Sequence, residues 1–183
     1  MAEASQAPHR LDLVIDFVNT VDLDRGKETL ATPSALGTWL AQRELLERGG
    51  KTPSAAELAQ ALRLREALRS LMLAHNGGPP DDAADRELER VARRGELAVH
   101  FTAGDSIDIA PCATGFSAAM AGLLVPVAQA AGDGSWGRVK ACRADDCQWA
   151  FYDGSRNRSG VWCEMAVCGN RTKVRAYRER KPG

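Results

Sequence analysis

The sequence predicts an α+β protein: a mainly helical N-terminal domain with one small β-hairpin, then a C-terminal module organised by four cysteines. Three observations carry that expectation. Apolar residues recur at three- and four-residue spacing up to residue 94, short alternating runs replace them near residue 97, and four of the five cysteines fall in the last 42 residues. A length of 183 residues suits roughly one domain with a small appendage. With 44% hydrophobic and 26% charged residues, the chain is neither wholly disordered nor collagen-like.

The elements follow in order. Leu11–Thr20 is apolar enough for the core, but its period fits a strand as well as a helix. Thr32-Pro33 provides an N-cap with proline at the first helical position, and Leu36, Trp39 and Leu40 continue one face. The same device recurs at Thr52-Pro53. The helix after it carries Ala61, Leu64, Leu68 and Leu71, turns Arg63 and Arg69 outward, and stops at Asn76-Gly77-Gly78-Pro79-Pro80. Another helix covers Asp82–Arg94, with Leu88 and Val91 inward.

Leu97–Phe101 and Ser106–Ile109 then read as a hairpin around Ala103-Gly104-Asp105. Phe116–Ala131 is a buried helix that Pro126 either kinks or splits in two. Gly132-Asp133-Gly134-Ser135 is the expected hinge between domains 1–134 and 135–183. Residues 1–137 hold enough apolar stripes to bury one another without help from the module.

The cysteines read Cys142-x4-Cys147, fifteen residues, Cys163-x4-Cys168, with Cys112 apart. Two short-spaced pairs suit one tetrahedral Zn(II), and four thiolates leave no open position for catalysis. No basic head followed by an apolar stretch opens the chain, and no apolar run approaches a membrane span, so a cytoplasmic protein without disulfides is expected. Knuckle, strand (Trp149–Asp153), polar loop and second knuckle at a helix N-terminus is the order of a treble-clef-like finger. The helix dipole there favours the Cys168 thiolate.

Charge is distributed unevenly. The chain is formally neutral, yet residues 138–183 carry +6 and residues 1–137 carry −6. Four thiolates around Zn(II) bring the module to about +4, enough for a few salt-sensitive phosphate contacts. On a helix over Asn170–Arg180, Val174 and Tyr177 form an apolar seam flanked by Arg171, Arg175 and Arg178 on one side and Lys173 and Arg180 on the other. The seam either docks on the finger's own strand or lies along a partner. Arg156 and Arg158 in the loop add to the basic set.

Cys168-Gly169-Asn170-Arg171, with Phe151-Tyr152-Asp153, Ser155-Arg156-Asn157-Arg158 and Trp162-Cys163, closely resembles the CGNR zinc fingers of bacteria. Ile15-Asp16-Phe17-Val18-Asn19-Thr20 with Trp39-Leu40 resembles the ABATE domain that accompanies them. The resemblance spans nearly the whole chain. It implies a stress-linked transcriptional regulator whose zinc-bearing end contacts DNA. Family members carry basic residues just before the Trp-Cys pair, where this chain has Gly160-Val161.

Other candidates are weaker. Asp16, Asn19 and Thr20 either line a ligand pocket for a small effector or cap backbone groups locally. Cys112, a candidate reactive thiol, reads rather as a small buried residue because no basic partner is evident nearby; His9 reads as part of a frayed tail, His75 as a helix-closing cation and His100 as structural. No nucleophile or phosphate-loop motif is present, so no enzyme is expected. A homodimer through the N-terminal domain is compatible with the pattern, without a surface to name. The leading expectation is a DNA-binding regulator. Its alternative is a ligand-binding or protein-interaction module in which the finger is only a structural staple.

Overall fold

The structure, a computed structural model, describes residues 7–102 and 106–180. Leu11–Val18 is a helix, α1, which settles the ambiguous opening: Leu11, Val14 and Val18 share one buried face with Phe17 beside them. A minimal hairpin follows, β1 (Val21–Asp22) and β2 (Lys27–Glu28), whose turn ends on Gly26 at φ +63°. Its strands are too short for alternation to show in the sequence.

Helix α2 (Pro33–Gln42) starts as expected, with Thr32 Oγ1 accepting from the Ala35 N–H, and it buries Leu36, Trp39 and Leu40. Helix α3 (Ala55–His75) is capped not by Thr52-Pro53 but by Ser54, in a reciprocal box with Glu57. Pro53 packs against α2 instead, where a Cβ on Gly37 would lie 2.9 Å from the proline ring. Ala61, Leu64 and Leu68 are buried on α3, while Leu71 is half-buried. Arg69, expected outside, is buried together with Arg65. Helix α4 (Asp82–Arg94) buries Val91 and half-buries Leu88.

The expected hairpin is β3 (Leu97–Thr102) against β4 (Ser106–Pro111), in the register Val99↔Ile109 and Phe101↔Ile107. Its turn, 103–105, lies outside the described residues. Pro126 marks a split rather than a kink: α5 (Gly115–Gly122) and α6 (Val125–Asp133) are separate, with the proline in the first turn of α6, where it costs no hydrogen bond.

Gly134 then takes the left-handed conformation at φ +76°, and the segment expected to hinge is fastened. Asp133 accepts from the Ser135 N–H at 2.8 Å and pairs with His9 at 2.7 Å, so His9 is not frayed. The Ser135 and His9 contacts hold the Asp133 carboxyl down at about 2.

After a 3-10 turn (Trp136–Arg138), β5 (Val139–Ala141) pairs antiparallel with β6 (Ala150–Tyr152). A wide π turn (Met165–Gly169) leads into α7 (Asn170–Arg180). The core is continuous across the expected boundary. Val139, Ala141 and Ala150 are buried in the same cluster as Val14, Phe17, Leu64 and Leu68, with β5 along α3 and β6 against α1.

Candidate metal centre and nucleic-acid interface

Cys142 leaves β5, and Cys147 follows a tight turn in which the Cys147 and Gln148 N–H groups both donate to the Ala144 carbonyl. Cys163 precedes the π turn, and Cys168 within it donates its N–H to the Glu164 carbonyl. The four sulfurs lie within 4.8 Å of one another, with Cys147–Cys163 at 3.6 Å and Cys163–Cys168 at 3.7 Å. A tetrahedron with ligands about 2.3 Å from its centre has edges of roughly 3.8 Å, so the spacing fits one tetrathiolate metal ion and is far too long for a disulfide.

The donor chemistry agrees. Burial and then repulsion from neighbouring thiolates push the Cys163 thiol above its ordinary value, and burial pushes Cys147 up to about 12. Four such sulfurs coexist as thiolates only around a cation. Cys112 is not among them. It is exposed, contrary to expectation, with its Sγ 3.6 Å from His100 Nε2.

The loop after β6 is shaped from inside. Lys140, buried on β5, donates to Asp153 Oδ2 at 2.7 Å and to the carbonyls of Arg158 and Gly160. Burial alone would raise the Asp153 pKa; Lys140 and the Ser155 and Gly160 N–H groups outweigh it and hold the carboxyl at about 2. Arg138 also turns inward, to the Asp153 and Ser155 carbonyls. Gly160 fits because it has no Cβ: one would lie 2.8 Å from the Asp153 carboxyl carbon, which Lys140 prevents from moving away. Gly160→Ala should therefore destabilise the protein by about 1–3 kcal/mol, the usual cost of overpacking, read as a lower urea midpoint. Arg156 and Arg158 are left exposed on this loop.

Of the other predicted basic contacts, Lys173, Arg175 and Arg178 are exposed on α7, beside Val174 and Tyr177 at 48% and 57% exposure. Arg171 is half-buried. It reaches Asp24 at 2.8 Å, Asp146 at 3.2 Å and the Cys168 sulfur at 3.7 Å, and Arg175 reaches Asp146 at 3.5 Å. Arg180 ends α7, and its side chain lies outside the described residues.

The finger is bolted to α3 and α1. Arg69 donates to the carbonyls of Val18 at 2.6 Å and Gln148 at 2.8 Å, which holds Gln148 in its left-handed turn. Asn76 Nδ2 donates to the Ala141 and Val161 carbonyls, and His75, which closes α3 as expected, contacts the Val139 carbonyl. Asn19 pairs with Ala150 through both its amide nitrogen and its oxygen, as a strand edge would. Thr20 bonds the Phe17 carbonyl and Arg65, and Asp16 meets Arg43 at 3.4 Å. None of these three lines the cavity of about 660 Å³ between the 44–53 loop and α5.

Asp24, Asp146 and the inward role of Lys140 escape sequence reading, whereas Asp153 is legible only as part of the Phe151-Tyr152-Asp153 string. The acidic turn Asp22-Leu23-Asp24 is the sole local hint for the first of them.

Two family profiles match the chain. Residues 138–181 match the CGNR zinc finger, and residues 11–134 match ABATE, described as "Putative stress-induced transcription regulator". No curated protein matches it. With the ABATE match over more than half its length and the four cysteines of the finger gathered into one metal centre, the chain belongs to the ABATE family and ends in a CGNR zinc finger.

Proposed function

We propose that this protein is a cytoplasmic DNA-binding transcription regulator whose four cysteines hold Zn(II) and whose α7 contacts duplex phosphates. The observation behind the reading is α7 itself: it leaves the metal centre at Cys168 with Lys173, Arg175 and Arg178 exposed along its length. An all-thiolate tetrahedral site suits zinc, whose closed shell serves structure rather than catalysis. A cation held by the four cysteines would fix the π turn and thereby the direction in which α7 projects. Arg156 and Arg158 on the Lys140-braced loop extend the basic surface, and Arg180 stands at its far end. Basic residues on both sides of an apolar seam suit straddling a phosphate backbone more than reading one base step.

A second reading, in which the finger only staples the C-terminus, draws on the Arg171–Asp24 and Arg175–Asp146 pairs. A salt titration separates the two. Arg175→Glu with Arg178→Glu should keep the metal, weaken binding to random duplexes of any sequence, and flatten the salt slope by roughly 2 units, about 0.9 per lost phosphate contact. If the double variant binds as the unaltered protein does, or if the latter shows no binding at about 50 mM salt, where screening is weak, the staple reading takes its place.

A further inference from the structure

The acidic β1–β2 turn reaches across the molecule to the basic helix. Asp24 Oδ1 lies 2.8 Å from Arg171 Nη1, a contact between residues 147 positions apart. Asp146 completes the cradle, with one oxygen 3.2 Å from Arg171 and the other 3.5 Å from Arg175. Two carboxylates thus occupy the guanidinium groups of Arg171 and Arg175, and a carboxylate offers an arginine the same paired anionic oxygens that a phosphodiester does.

The turn that carries Asp24 is anchored. Glu28, on the returning strand, accepts from the buried Arg65 at 2.8 Å and from the Leu30 N–H at 2.8 Å, and Asp22 bonds the Arg25 N–H. Arg65 in turn donates to Thr20 at the end of α1. Arg171 therefore meets a fixed part of the N-terminal domain rather than a wandering side chain.

The contact is also exchangeable. The side chains of Arg171, Asp24 and Asp146 are 32%, 46% and 39% exposed, and pairs so open to water are weak. The docked pose is imperfect besides: Arg171 Nε is buried without a hydrogen-bond partner.

Building on the DNA-binding reading, we propose that Asp24 is an intramolecular competitor for phosphate at Arg171, through which the N-terminal domain restrains nucleic-acid binding by α7. A strand of DNA must displace the carboxylate before Arg171 can join Arg175 and Arg178 on it. Whatever moves the β1–β2 turn then changes how tightly the finger binds.

The test measures binding of the intact, metal-loaded protein to a short random duplex at about 50 mM salt, where exposed charges are least screened. Asp24→Asn should tighten binding roughly two- to five-fold, the worth of one exposed pair expressed as an affinity ratio. Asp12→Asn, on the exposed first turn of α1, controls for the change in net charge. In an Arg171→Ala background the gain from Asp24→Asn should vanish. The restraint is overturned if Asp24→Asn gains no more than Asp12→Asn, or if its gain survives without Arg171; the DNA reading stands in both cases. If the unaltered protein does not bind, the DNA reading fails and the restraint falls with it.

Discussion

Replacing Cys163 with serine should strip the metal and lower the melting temperature of the whole protein, not of the finger alone. Metal binding in four-ligand fingers is folding free energy, about 10–16 kcal/mol in isolated zinc-finger peptides, which matches or exceeds the margin by which a domain is folded. Here the loss cannot stay local. Val139, Ala141 and Ala150 are core residues shared with α1 and α3, and the Asn76, His75 and Arg69 side chains bond carbonyls of the finger. Once the knuckles open, those donors lose their partners and the lower end of α3 faces water. Metal content by elemental analysis and a thermal melt check this together. A variant that keeps its metal, or one that loses it and melts as before, would refute the coupling.

Arg69→Met comes next in size. Methionine fills much of the same space but leaves the Val18 and Gln148 carbonyls without their donor and removes a cation beside Glu66. Removing one member of a buried charged network costs about 3–5 kcal/mol, so the urea midpoint should drop sharply while the slope of the transition stays constant. Metal affinity should fall as well, because Gln148 follows Cys147 directly and relies on Arg69 to keep its left-handed turn. A midpoint within experimental error of the unaltered protein would show that water replaces the guanidinium without loss.

Arg69 also marks the limit of what the sequence discloses. Wherever a residue answers to its near neighbours, reading works: the Thr32-Pro33 cap, the Leu64/Leu68 stripe, the break at Pro126 and the 97–111 hairpin are all local. The four cysteines are legible for a related reason, since two pairs of thiols at this short spacing suit one tetrahedral metal ion.

What failed were long-range polar matches. Helical periodicity sends an arginine outward, and nothing around position 69 announces carbonyls at residues 18 and 148 that need a donor. Asn19 shows the same blindness, as its partner lies 131 residues away. So does Cys112, which stands exposed beside His100 although no basic partner is evident near it in the sequence. On α7, composition identified a basic helix but could not show that Asp24 and Asp146 already occupy two of its arginines.

The clamp between Asn19 and Ala150 bears on how the protein is made. Translation runs at about 5–20 residues per second, so residue 150 follows residue 19 by roughly seven to twenty-six seconds. Throughout that interval α1 lacks the strand that its terminal asparagine grips, and once α3 is made its buried arginine waits for the Gln148 carbonyl. Contacts so distant along the chain close late and slow folding. The nascent chain therefore carries its first helix without the Ala150 clamp until the finger has been made.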